Sequence, residues 1–293
     1  MAHEHNHSHS IEFDQRNRKA FIIGIALNSA FVITEVIAGF VYNSMALLTD
    51  AGHNLSDVAS LILSLIAFWM AKRKSSAKYT YGYKKTTILA ALLNAMILFV
   101  AIGILGFETV QRLFKPEKVE GNIIAWVAGL GIVINGLTAW LFYRNKKKEL
   151  NAKSAYLHML ADMLVSLGVV IAGVIIVYTK WYWLDAVIGL VILIVILIST
   201  WDLLIDSFKM TIDAVPEGID LEDIKKIILK VEGVKKVAHV HVWSLSTTEN
   251  ALTAHVIVED SLTFEEKLNV VKVIKHELEH AEIHHSTIEL ETG

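Results

Sequence analysis

The chain has 293 residues, 54% of them hydrophobic and 19% charged, with a formal net charge of −3 and no cysteine. The hydrophobic share is high and the charged share low for a water-soluble domain. A near-neutral balance gives no general case for nucleic acid as a partner, and the lack of thiols excludes disulfides and thiolate metal centres.

The first 18 residues are polar and contain HEHNHSHS, with alternating histidines at His3, His5, His7 and His9. Such a tract binds zinc or copper loosely or serves as a polar tail, and no cleavable signal peptide is evident. Six hydrophobic stretches follow, at 19–41, 46–70, 86–113, 121–143, 151–179 and 183–208. Each meets the requirement of about 20 residues for a membrane-spanning helix. After Pro216 the chain turns charged and amphipathic. GIDLEDIKKIILKVEGV reads as a helix ending at Gly233, KKVAHVHVWSLS and ALTAHVIVED as strands, TFEEKLNVVKVIKHELEHA as a helix and HHSTIELE as a strand. The expected architecture is an all-α six-helix transmembrane bundle followed by a small cytosolic α/β domain of order α-β-β-α-β. The domains are then 1–18 (histidine-rich tail), 19–210 (transmembrane) and 211–293 (soluble).

The loops orient the bundle. Lys72, Arg73, Lys74, Lys78, Lys84 and Lys85 follow the second stretch, and Arg144, Lys146, Lys147, Lys148 and Lys153 flank the connection after the fourth. The connections YNSMA and TKWYW are poor in basic residues, although Arg112, Lys115 and Lys118 follow the third stretch. The positive-inside bias places both termini in the cytoplasm.

Two copies of His-x-x-x-Asp lie inside apolar stretches: His53 and Asp57 in the second, His158 and Asp162 in the fifth. Residues four apart share a helix face, so each pair presents an imidazole and a carboxylate to one point. At about 1.5 Å rise per residue, the first pair lies roughly 12 and 18 Å below the outer edge and the second equally far above the inner edge. In a hydrocarbon core about 30 Å thick, both occupy the middle. Each ionisable group costs about 2.5–3.5 kcal/mol at that depth. One such pair is as readily a helix–helix hydrogen bond, but two with identical spacing point to metal or proton handling. Two nitrogens and two oxygens suit tetrahedral Zn²⁺ and also Cd²⁺ or Co²⁺. Metal needs neutral histidine and ionised aspartate, so metal and protons compete for one site. An intramembrane metallohydrolase or a metal sensor that does not transport remains open at this point.

Other polar residues fall within the stretches. Asp50 suits an exit path, a cap or a helix–helix contact; Asn28, Asn94 and Asn135 suit packing hydrogen bonds; Gly103, Gly106, Gly129 and Gly131 suit close helix approach. In the soluble part the histidines His239, His241, His255, His276, His280, His284 and His285 suit either a polar surface or a second metal site.

LLTDAGHNLSDVASL, YTYGYKKTTILAALLNA, SAYLHMLADMLVSLGVVIAG and HVHVWSLS together resemble the zinc-transporting branch of the cation diffusion facilitator family over nearly the whole chain. The resemblance implies a homodimeric exporter in the bacterial inner (plasma) membrane. It would exchange Zn²⁺, and Cd²⁺ or Co²⁺, for H⁺ by alternating access, and would not be an enzyme. It further implies that His53, Asp57, His158 and Asp162 form the transport site. His241, His255 and Glu289 would be cytosolic metal ligands in a ferredoxin-like domain. Lys85 and Asp213 would form a charge pair between loop and soluble domain. The chain departs from the family pattern at Thr87, where many relatives carry an acidic residue.

Overall fold

The computed structural model describes residues 15–143 and 150–292. The histidine tract at positions 3–9 and the basic run 144–148 lie outside the described residues. Six long helices come first: α1 (Gln15–Val41), α2 (Met45–Ala71), α3 (Thr86–Phe114), α4 (Gly121–Tyr143), α5 (Leu150–Thr179) and α6 (Trp183–Thr211). Among the described residues, four of these, α3 to α6, hold a stretch long and apolar enough to cross a membrane; the apolar part of α1, Ala26–Val41, is shorter. Large apolar side chains such as Phe40, Phe107, Trp126 and Tyr178 are exposed, as lipid-facing surfaces require. The chain is a multi-pass membrane protein with a C-terminal α/β domain.

The helices divide between two compact units, with α2, α3 and α6 contributing to both. The first unit holds α1, α4, α5, the start of α2, the end of α3 and most of α6. Its core includes Phe31, Met45, Leu47, Ile124, Val169 and Ile176. Small residues let α4 and α5 touch: a Cβ placed on Gly173 would stand 2.8 Å from Ala125 N and 2.9 Å from Gly121 O. A Cβ on Gly131 would lie 2.5 Å from Phe31 Cζ. Of the four glycines expected at close approaches, Gly131 is at one, whereas among the described residues nothing lies within 4 Å of a Cβ on Gly103 or Gly129, and Gly106 has only ordinary contact. Replacing Gly173 by alanine is expected to force α4 and α5 apart, because backbone atoms cannot yield as a flexible side chain does. The expected cost is about 1–3 kcal/mol, read as a lower unfolding temperature in detergent.

The second unit contains residues 59–99 and 198–293. Its C-terminal part runs α7 (Leu221–Leu229), β1 (Val234–Ser244), β2 (Asn250–Val258), α8 (Phe264–His280) and β3 (Ile283–Thr292), in the order read from the sequence. The three strands lie in the order β1-β2-β3, with β1 antiparallel and β3 parallel to β2. Alternation along β2 buries Leu252, Ala254, Val256 and Val258 against Ile224 and Ile228 of α7 and Ile274 and Leu278 of α8. The remaining face carries Thr253, His255 and Ile257, each half-buried.

Capping explains where the two short helices begin. Asp220 accepts from Glu222 N at 2.7 Å at the start of α7. Thr263 and Glu266 form a reciprocal capping box at the start of α8. The hydrogen bonds donated by the Thr263 backbone and side chain hold the Glu266 carboxyl below its ordinary value.

Candidate metal centres and the family

The α2 helix begins where Asp185, in the first turn of α6, meets the N–H groups that have no partner within the helix. Asp185 accepts from Ser44 Oγ at 2.6 Å and from Met45 N at 2.6 Å, and Ala46 N is 3.4 Å away. Ser44 Oγ in turn accepts from Leu47 N at 3.2 Å. A carboxylate supplied by another helix thus caps α2, where the backbone dipole also favours negative charge. Two turns further on, the helix presents His53 and Asp57.

These residues meet His158 and Asp162 of α5. His158 Nε2 is 3.1 Å from Asp57 Oδ2 and 3.6 Å from Asp162 Oδ2. His53 Nε2 is 3.4 Å from Asp162 Oδ1 and 4.0 Å from Asp57 Oδ2. Each imidazole therefore faces a carboxylate of the other helix as well as its own. Asp162 is the most enclosed of the four at 2% exposure, and its Oδ2 has no hydrogen-bond partner among the described residues. Asp57, His158 and Asp162 each offer one ligand atom within 4.8 Å of the others. A buried carboxylate whose two oxygens each face an imidazole, one of them without a hydrogen-bond partner among the described residues, is an arrangement that a dication completes.

Two further acids of the long helices are buried. Glu35 and Asp50 are 0% and 1% exposed. Asn54 Nδ2 donates to Glu35 Oε2 at 3.1 Å. Asn135 also departs from expectation: both of its amide atoms lack partners among the described residues. The role of Asp185 went unread, because a cap supplied by a residue 140 positions away leaves no local sequence signal.

In the soluble domain, His255, Glu289 and Glu291 form a second group whose ligand atoms lie within 4.8 Å of one another. His255 Nδ1 lies 2.6 Å from Glu291 Oε1, and its Nε2 lies 3.6 Å from Glu289 Oε2. Parallel pairing sets His255 directly beside Glu289. The ring of His239 stands 5.0 Å from that of His255. His241, expected as a ligand, is outside this group: it pairs with Thr253, one step further along β2. The cause is a register shift between Ala238 and His241, with His239 at φ 48°. Such a bulge inserts one residue and re-aims a side chain. Glu291 was legible in principle, since the alternation IELE puts Glu289 and Glu291 on one strand face.

Within the second unit, Lys85 Nζ donates to Asp213 Oδ1 at 2.6 Å, as the expected charge pair requires. Lys84 is paired with Glu249. Thr87 joins the same contact without a charge: Thr247 N donates to its Oγ1 at 3.1 Å. The loop after α2 and the turn after β1 are thereby tied at neighbouring points.

A helical membrane domain that gathers two histidines and two aspartates, joined to a soluble domain with a second histidine–carboxylate group, defines a metal-handling membrane protein. The family model described as the cation efflux transmembrane domain matches residues 21–210, and the cytoplasmic domain of cation efflux proteins matches residues 216–292. The chain belongs to the cation efflux family, the cation diffusion facilitators, and is a transporter rather than an enzyme. It is 37% identical to a cadmium, cobalt and zinc/H⁺–K⁺ antiporter of Bacillus subtilis over 294 residues, covering 100% of this chain and 92% of that protein. It is 32% identical to the zinc transporter ZitB of Escherichia coli, covering 99% of this chain and 93% of that protein. It is also 36% identical to the metal cation efflux system protein CzcD of Cupriavidus metallidurans, covering 97% and 89%.

Proposed function

We propose that this chain exports Zn²⁺, with Cd²⁺ and Co²⁺ as further substrates, in exchange for H⁺, and that His53, Asp57, His158 and Asp162 hold the metal in transit. The observation that carries this reading is the convergence of both His-x-x-x-Asp pairs, with imidazole-to-carboxylate distances of 3.1 to 4.0 Å. The similar antiporter of Bacillus subtilis bears cadmium, cobalt, zinc and H⁺ in its name, which supports the substrate range and the coupling ion. The four side chains supply two nitrogens and two oxygens, and the two carboxylates balance a dication. Protons entering from outside charge the imidazoles of His53 and His158, which expels the metal, while Asp57 and Asp162 supply the charge that offsets the cation. Metal entering from the cytoplasm displaces protons. Rocking of helices about a site near the bilayer midplane alternates access.

The remaining organisation follows from this reading. All six long helices span the bilayer, within a transmembrane domain at 19–210. The tail 1–18 and the ferredoxin-like domain 211–293 are cytoplasmic, and the protein lies in the bacterial inner membrane as a homodimer. The match to the cytoplasmic domain of cation efflux proteins supports the placement of the soluble part. His255, Glu289 and Glu291 would hold a cytosolic Zn²⁺, with His239 beside them as a further nitrogen donor. One imidazole nitrogen and two carboxylate oxygens fit the donor set of a divalent metal.

Zinc uptake into sealed proteoliposomes under an imposed pH gradient tests the transport reading. Gradient-driven accumulation is the expected result. Tight zinc binding with no flux under any gradient would replace the exporter by a membrane metal sensor. Selectivity is tested by His53→Asp. Exchanging a nitrogen for an oxygen ligand is expected to raise acceptance of Cd²⁺ relative to Zn²⁺ or to admit Mn²⁺ in competition assays. An unchanged metal profile would remove His53 from the selectivity ligands.

A further inference from the structure

A third set of metal-ligating side chains lies on α8, away from the His255 group. His276 and His280 are one helical turn apart and exposed. Their Nε2 atoms face each other at 3.4 Å, with ring centroids 4.7 Å apart and planes at 75°. Two Zn–N bonds of about 2.0–2.1 Å in tetrahedral geometry span an N–N edge of about 3.3–3.4 Å. The two nitrogens therefore already stand at the bite distance of a chelate.

The helix makes this geometry inexpensive to hold. Val270, Ile274 and Leu278 anchor α8 in the core of the domain at 6%, 0% and 0% exposure. A folded, anchored helix has little ordering left to lose when a metal clips two of its side chains. His280 also lies in the last turn of α8, where unpaired carbonyls favour positive charge. Glu277 and Glu279 flank the pair along the helix and add negative potential, while Lys272, four residues before His276, opposes it.

We propose that His276 and His280 form a solvent-facing chelate for a nitrogen-preferring transition-metal dication such as Zn²⁺, Co²⁺, Ni²⁺ or Cu²⁺. Two protein ligands leave the other coordination positions to water, so the metal exchanges readily with the cytosolic pool. Mg²⁺ and Ca²⁺, which select oxygen ligands, are not held. The site is independent of the transport assignment: it stands or falls whether or not the membrane site carries zinc.

The test is hydrogen–deuterium exchange, read by mass spectrometry, on the full-length protein in detergent with and without Zn²⁺. Local readout separates α8 from the other metal groups. With Zn²⁺ at about ten times its dissociation constant, amides in the last two turns of α8 are expected to exchange about tenfold more slowly. That slowing should vanish in His276→Gln and in His280→Gln, persist in His255→Ala, and not appear with Mg²⁺. Absence of slowing would mean that the two rings only touch each other and hold no metal. Slowing that survives either glutamine variant, disappears in His255→Ala or occurs with Mg²⁺ would equally overturn the chelate.

Discussion

Asp162→Ala is expected to abolish metal flux while leaving folding and dimerisation largely intact. Asp162 is enclosed at 2% exposure and lies 3.4 Å from His53 and 3.6 Å from His158. Alanine removes one of the four proposed ligands and one of the two negative charges that would offset a dication within lipid. Loss of a partner that merely supports a ligand costs about 10–100-fold in metal affinity, so loss of the ligand itself should cost more than about 100-fold. Stability should hardly fall, because the carboxylate has an oxygen without a hydrogen-bond donor among the described residues. Removing a buried acceptor that lacks its partner spares the fold a desolvation cost. Zinc uptake in proteoliposomes, beside size-exclusion and thermal-unfolding profiles, separates the two effects. Normal zinc flux in this variant would remove Asp162 from the transport site.

Asp185→Ala is expected to do the reverse, losing stability first and transport as a consequence. Its carboxylate holds Ser44 Oγ and Met45 N, both at 2.6 Å, and these groups are 0% exposed. Alanine leaves a hydroxyl and a backbone N–H buried with no water to replace the acceptor. At about 1–3 kcal/mol for each of the two orphaned groups, the loss is about 2–6 kcal/mol. The start of α2 frays, and with it the register that sets His53 and Asp57 against α5. Asp185→Asn keeps an acceptor oxygen and should lose about half as much. Thermal unfolding of the two variants in detergent checks the ranking. Equal stability of alanine variant and wild type would show that the cap does not hold α2.

The membrane site was largely legible because its signal is periodic and costly. Four ionisable residues in two apolar stretches, with the same four-residue spacing, narrow the choices before any contact is known. The helix period alone puts His53 with Asp57 and His158 with Asp162. The soluble site was read less well for a local reason. A strand pattern such as HVHVW implies strict alternation, and a one-residue bulge breaks it without marking the sequence. His239 therefore stands against His255, and His241 lies one pair further along. Glycines in the helices behaved likewise. Gly173 and Gly103 look alike in an apolar stretch, yet Gly173 sits against the backbone of α4 and Gly103 has open space around it.

Composition and hydrophobic patterning by themselves determined the helical membrane part, the order of the elements after Pro216 and the two His-x-x-x-Asp pairs. These rest on local periodicity and on the cost of placing polar groups in lipid, which act residue by residue. The tertiary structure decided which carboxylate caps α2, which glycines let helices touch, which histidine stands beside His255 and which backbone N–H donates to Thr87. Each of these depends on a partner distant in the chain, whose position is set by packing and strand register rather than by neighbouring residues.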